Sequence, residues 1–177
     1  MAFLGRSNVG KSSLLNALAG VKGLAHVSSK PGRTRLVNFF RVGNELYLAD
    51  LPGYGYARVS EDVRRGWEAL VRSYLEGRKE LALCVFLVDG RHEAQENDLF
   101  LQEYLDEGEY PYVVAATKTD DVAKGALGAR MEALSRAFGG AEVVPVSATT
   151  GAGLRELWNT IRAAASRLRK GEGNDGR

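Results

Sequence analysis

A single cysteine, Cys84, occurs in a chain of 177 residues. That excludes an internal disulfide framework and any cysteine-built zinc site. Two histidines, His26 and His92, are too few for a histidine-rich metal centre, and neither has a visible acid–base partner. The longest apolar run, Leu81 to Val88, falls far short of the ~20 residues a membrane span needs. No secretory leader is expected, since Met1-Ala2-Phe3-Leu4 runs straight into Gly5 and Arg6. A soluble cytoplasmic protein, acting as a monomer, is expected. Charge of one sign is also lacking: 24 Lys and Arg against 22 Asp and Glu leave a net +2. A nucleic-acid partner therefore has to be argued from local patches. Cys84 itself lies in a buried-strand run and reads as inert packing.

What is present is ordinary globular material, 45% hydrophobic and 26% charged. One domain is expected over residues 1–170, followed by a glycine-rich, polar and disordered tail over 171–177. A chain of this size buries roughly 70% of its unfolded surface, enough for a core without covalent staples. Short apolar runs at Leu36–Val42, Glu45–Asp50, Leu81–Asp89, Tyr112–Thr117 and Glu142–Val146 read as strands. Several are nearly continuous in Val, Leu, Phe and Tyr, as strands buried on both faces are. Amphipathic stretches fill the gaps: Lys11–Leu18, Glu61–Leu75, Asn97–Leu105, Gly128–Phe138 and Leu154–Leu168. Trp67 and Trp158 fall on their apolar stripes and are expected in the core. The alternation predicts an α/β fold, a sheet covered by helices on both faces.

Gly5-Arg6-Ser7-Asn8-Val9-Gly10-Lys11-Ser12 matches G-x-x-x-x-G-K-[ST], with apolar Phe3-Leu4 before it and a helical run from Ser13 after it. Its glycines let the backbone wrap a phosphate chain with N–H groups inward. The helix start adds the positive end of its dipole. Lys11 is placed to reach β- and γ-phosphates, and the Ser12 hydroxyl to ligate Mg²⁺.

The base is read elsewhere. Thr117-Lys118-Thr119-Asp120 closes an apolar strand, at the end where open α/β sheets bind ligands. An aspartate there accepts hydrogen bonds from guanine N1–H and the 2-amino group, which adenine cannot supply. Lys118 can lay its alkyl stem over the base, and the Ser147-Ala148-Thr149 backbone can meet the guanine oxygen. Asp50-Leu51-Pro52-Gly53 ends another strand. Asp50 is expected to hold Mg²⁺ through water, and the Gly53 N–H to meet the γ-phosphate. Gly32-Arg33-Thr34 lies in a long polar segment. Thr34 can complete the Mg²⁺ shell with triphosphate and release it after hydrolysis.

These elements, in this order, resemble the Ras-like P-loop GTPases of the translation-factor class, which implies a three-layer fold with a mostly parallel central sheet, one antiparallel edge strand and helices on both faces. The wording Gly5 to Ser12, then Pro31-Gly-Arg-Thr34 with Val37-Asn-Phe-Phe40, then Asp50-Leu-Pro-Gly-Tyr-Gly-Tyr-Ala57 narrows the likeness to the EngB (YihA/YsxC) family. The resemblance implies a GTP-hydrolysing switch in assembly of the large ribosomal subunit, linked to cell division and septation. It places Gly5 to Ser12 on the phosphates, Ser12 and Thr34 on Mg²⁺, Asp50 to Gly53 at the γ-phosphate, Thr117 to Asp120 on guanine and Ser147 to Thr149 beside it. The family usually carries more residues before the phosphate loop, so the first strand is expected to be cut short. It also commonly has a lysine where Asp121 stands.

Ras-type enzymes place a water-orienting glutamine just after Asp-x-x-Gly. Tyr54 occupies that position, which implies slow hydrolysis, of the order of 10⁻⁴–10⁻² s⁻¹. Related GTPases with asparagine at the position of Asn8 use it to bind K⁺, which offsets charge developing on the phosphates. Lys11, Asn8, Thr34 and Gly53 are thus the candidate catalytic groups. Tyr54 and Tyr56 read as partner-facing aromatics in a mobile loop. Arg58, Arg64, Arg65, Arg72, Arg78 and Lys79 around the second helix, and Arg155, Arg162, Arg167, Arg169 and Lys170 on the last, are candidate contacts for ribosomal RNA. Three alternatives stay open: a switch that recruits protein partners without the ribosome, a module detached from a larger enzyme or transporter, and an ATPase.

Overall fold

The computed structural model describes residues 1–21, 23–25, 37–43, 46–54 and 61–172, without the side chains of 61–64 and 171–172. Six strands form one sheet: β1 (Ala2–Gly5), β2 (Asn38–Val42), β3 (Leu46–Asp50), β4 (Cys84–Asp89), β5 (Tyr112–Thr117) and β6 (Val143–Pro145). Their order is β2-β3-β1-β4-β5-β6. Among the described strands only the β2–β3 pair is antiparallel, so the sheet is mostly parallel with one antiparallel edge, as the resemblance implies. The helices are α1 (Lys11–Ala19), α2 (Glu61–Leu75), α3 (Glu96–Glu107), α4 (Leu127–Ala137) and α5 (Leu154–Glu172). None among the described residues is long and apolar enough to cross a membrane.

Strand alternation builds two cores. Phe3, Val85, Leu87, Val113 and Ala115 face α1 and α5, where Leu14, Leu18, Leu157 and Ile161 meet them. The intervening Ala2, Leu4, Cys84, Phe86, Val114 and Ala116 face the other way, onto Val71, Leu101, Leu105, Leu134 and Phe138 of α2, α3 and α4. A strand between two helical layers must be apolar at every position, which is why these runs were continuous in the sequence. β1 has only four residues, all fully buried, laid between β3 and β4. Cys84 is completely buried, and burial pushes its thiol up to about 12, leaving it inert as expected.

Some boundaries move. The ladder of β4 starts at Cys84, opposite Ala2 and Tyr112, so Leu81–Leu83 only lead into it. β6 is trimmed to three residues and closes on Pro145, which has no N–H to donate onward. The two tryptophans are half-buried rather than inside. Each packs its ring on the core while its indole N–H reaches a carbonyl: Trp158 to Leu18 at 3.0 Å, Trp67 to Pro52 at 2.6 Å. All the parallel strands end at one edge, so Gly5, Asp50, Asp89, Thr117 and Pro145 converge there. Ligands of open α/β sheets bind at that edge.

Candidate nucleotide site

The loop from Gly5 to Lys11 joins β1 to α1. Asn8 and Gly10 both take positive φ, 63° and 102°. Gly10 is the N-cap of α1 and supplies no side-chain cap, and no acidic residue stands in the first turn. The helix therefore offers its first N–H groups and positive dipole end to an anion without internal competition. Val9 is buried and its N–H turns back to the Arg6 carbonyl at 3.2 Å. Ser12 and Ser13 are half-buried at the helix start. Lys11 is buried and its ammonium pairs directly with the buried carboxylate of Asp50. The phosphate-loop lysine and the Asp-x-x-Gly aspartate, 39 positions apart, are thus brought into contact.

Asp50-Leu51-Pro52-Gly53 runs onto that loop. Leu51 N–H donates to Phe3 O at 3.2 Å, continuing the sheet. Beyond it, Ser7 N–H donates to Tyr54 O at 2.8 Å and Arg6 pairs with Tyr54 as a parallel bridge. Gly53 passes so close that an added Cβ would lie 3.0 Å from the Ser7 nitrogen. No larger residue fits there without moving the phosphate loop.

Tyr54 corrects one expectation. Its side chain is only 7% exposed and faces no partner. The hydroxyl donates to Asp98 Oδ1 at 2.8 Å, and the ring lies 5.1 Å from that of Trp67. Burial and then the Asp98 carboxylate raise its phenol well above the usual range. Tyr56, Arg58, His26 and the Gly32-Arg33-Thr34 segment lie outside the described residues.

The base-reading motif touches the phosphate loop. Thr117 Oγ1 contacts Val9 O at 2.5 Å and Val88 O at 3.0 Å. Lys118 takes a positive φ of 57°, and its ammonium donates to Asn8 O at 2.7 Å and Asp89 Oδ2 at 2.9 Å. Burial alone would raise the Asp89 carboxyl, but hydrogen bonds from Arg91 and Lys118 outweigh it and hold the group well below the carboxylate range. Thr119 N–H reaches Val146 O at 3.4 Å, joining the turn after β5 to the turn after β6. There the buried Ser147 hydroxyl, then the backbone N–H of Asp120 and the Thr149 hydroxyl, lower the exposed Asp120 carboxyl. Ser147 Oγ also accepts Thr150 N–H at 3.0 Å, which fixes its rotamer. Ala148 sits half-buried between the two hydroxyl residues. Asp121, in the position where a lysine is common, makes an exposed ion pair with Arg91 at 3.2 Å.

Among the described residues no three His, Cys, Asp or Glu gather into a metal cluster. The Ser12 hydroxyl and the Asp50 carboxylate supply hard oxygen donors, the set Mg²⁺ takes when most of its shell is water and phosphate. Sequence reasoning missed Asp98, Gln95, Asp89 and the Trp67 indole as supports of this site. The only signal for Asp98 was an acid in the first turn of α3.

The chain is similar to known GTP-binding proteins. The family model described as 50S ribosome-binding GTPase matches residues 1–118. The probable GTP-binding protein EngB of Solibacter usitatus is 47% identical over 161 residues, covering 91% of this chain and 83% of that protein. The crystal structure of a probable GTP-binding protein engB has a TM-score of 0.74 over 94% of this chain and 98% of its own, at 24% identity, a likeness of fold. NFeoB from S. thermophilus, bound to GDP·AlF4⁻ and K⁺, has a TM-score of 0.65 at 27% identity, over 90% of this chain and 59% of its own.

Proposed function

The chain belongs to the EngB family of GTP-binding GTPases, and from that premise we propose that it is a slow, Mg²⁺-dependent GTP switch acting in large-ribosomal-subunit assembly, in support of normal cell division. One observation carries the nucleotide reading: Thr117 and Lys118 bond to the carbonyls of Val9 and Asn8. A purine held at Asp120 and a phosphate chain held at Gly5 to Ser13 then belong to one molecule.

In this reading Arg6 to Ser13 give main-chain N–H groups to the phosphates, and Lys11 exchanges part of its bond to Asp50 for the β- and γ-phosphates. The Gly53 N–H marks the γ-phosphate. Gly32, Arg33 and Thr34 would bind the nucleotide as well, as the family resemblance implies. Ser12, Thr34 and Asp50 are the residues that would hold Mg²⁺, and the ion when bound would neutralise charge on the phosphate oxygens. Asp120 accepts from the guanine edge while Ser147, Ala148 and Thr149 line its far side. Tyr54 is tethered to Asp98, so no side chain at that position orients water, which supports slow turnover.

Guanine selectivity is tested by titrating GDP against ADP; equal affinities overturn it. Co-sedimentation with large ribosomal subunits tests the cellular role. GTP-dependent association is expected, weakening steeply with salt because the exposed arginines of α2 and α5 would meet phosphates. No association in any nucleotide state favours a switch that recruits protein partners instead.

A monovalent-ion role for Asn8 is part of the proposal. Asn8 is exposed on the phosphate loop, with its carbonyl held by Lys118. Hydrolysis is expected to run about tenfold or more faster in KCl than in NaCl, a margin typical of one well-placed electrostatic group. Asn8→Ala is expected to abolish the difference. Equal wild-type rates in the two salts remove the role.

A further inference from the structure

The phosphate loop and the Asp-x-x-Gly segment are tied to the start of α3 by a closed circuit of polar contacts. Arg6 Nη1 donates to Gln95 Oε1 at 2.6 Å. Gln95 and Asp98 form a reciprocal capping box, in which Gln95 N–H donates to Asp98 Oδ2 at 3.3 Å. The other carboxylate oxygen, Oδ1, accepts the Tyr54 hydroxyl at 2.8 Å. The Tyr54 main chain returns the circuit to the loop, accepting from Ser7 N–H at 2.8 Å and donating to Gly5 O at 3.4 Å.

A helix cap alone does not need this arrangement. Capping uses only Oδ2, and a solvent-facing acid would do it equally well. Asp98 instead is 3% exposed. Burial raises its carboxyl above the ordinary range, against the hydrogen bonds from Tyr54 and Gln95. A carboxylate placed at such a cost is spending its second oxygen on Tyr54.

We propose that Asp98 is a positioning residue for GTP: by holding the Tyr54 hydroxyl it fixes the Tyr54 main chain against Gly5 and Ser7, and so sets the position of the adjoining Gly53, whose own N–H distinguishes triphosphate from diphosphate. This rests on the reading of Gly53 as the γ-phosphate contact. The space is unforgiving, because even a Cβ added at Gly53 would lie 3.0 Å from the Ser7 nitrogen. A shift of a few tenths of an ångström at Tyr54 is passed directly to its neighbour. The same link makes α3 an input: whatever displaces its first turn also displaces Gly53.

Three variants test it, each titrated with GDP and with a non-hydrolysable GTP analogue and assayed for kcat at saturating GTP. Tyr54→Phe keeps the ring against Trp67 and the α3 cap but removes the tether. It is expected to lower the triphosphate-over-diphosphate preference and kcat by about threefold to tenfold, the worth of one net hydrogen bond, with GDP affinity within about twofold of wild type. Asp98→Ala is expected to do the same and also to lower Tm. Asp98→Asn can bond Tyr54 in either amide orientation, so it is expected to retain the preference. If Tyr54→Phe and Asp98→Asn both keep the wild-type preference and kcat, Asp98 is only a cap and the inference is overturned, whether or not Asp98→Ala folds. A wild-type chain that binds both nucleotides without preference would instead remove the reading of Gly53.

Discussion

Lys11→Ala is expected to abolish useful nucleotide binding and to destabilise the fold at the same time. Lys11 and Asp50 form a buried ion pair, with side chains 8% and 5% exposed. Removing one member of such a pair leaves an uncompensated buried charge, which costs about 3–5 kcal/mol. The ammonium also supplies charge-assisted hydrogen bonds to the phosphates, worth about 1.5–3 kcal/mol each, so GDP affinity should fall by at least about tenfold to a hundredfold. The two effects are separable. Replacing both partners with apolar residues of similar size, Lys11→Met with Asp50→Leu, removes the stranded carboxylate and is expected to recover most of the lost melting temperature. It cannot recover phosphate binding. Calorimetric melting and GDP titration of wild type, single and double variants provide the check. A Lys11→Ala chain that bound GDP as tightly as wild type would remove this loop from the phosphate site.

The motifs were legible because their chemistry is local. A glycine-flanked lysine before a helix, or an aspartate closing an apolar strand, carries its meaning within a few residues. The central strands were legible because burial on both faces forbids polar positions, as β4 and β5 show. Tyr54 was not. Flanked by glycines in a loop, an aromatic reads as exposed, and its anchor lies 44 positions further on. Asp98 in turn reads as an ordinary first-turn acid favoured by the helix dipole. Gln95 escaped notice because Gln is a poor N-cap by propensity and works here only through the reciprocal box with Asp98. Asp89 illustrates the same limit: the end of β4 is a plain strand terminus beside Arg91 until the fold brings Lys118, 29 positions on, to its carboxylate. Supports of a site are long-range contacts between unremarkable residues, while the groups that touch a ligand need unusual local chemistry.

That distinction gives the base-reading residue its strongest test. Guanine presents two donors, N1–H and the 2-amino group, to a carboxylate that only accepts. In Asp120→Asn one oxygen becomes an NH₂ group, which would face the 2-amino donor. The conflict is expected to cost at least about a hundredfold in GDP affinity, as sites built around one hydrogen-bond pattern reject a ligand that breaks it. Xanthine carries a carbonyl at position 2, an acceptor where guanine has a donor. The asparagine variant should therefore bind the xanthine diphosphate better than GDP, reversing the wild-type order. Asp120 is exposed, so the substitution should leave Tm nearly unchanged and the loss cannot be blamed on folding. The pH dependence has a definite sign. The Ser147 hydroxyl, the residue's own N–H and the Thr149 hydroxyl depress the Asp120 carboxyl, so the accepting, ionised form persists to lower pH than an ordinary aspartate's. On acidification wild-type GDP affinity should fall at lower pH than an ordinary aspartate would give, and Ser147→Ala should move the fall to higher pH. Competition titrations of GDP and xanthine diphosphate, run across acidic pH, measure both effects. An Asp120→Asn chain that still preferred guanine would mean that another group reads the base.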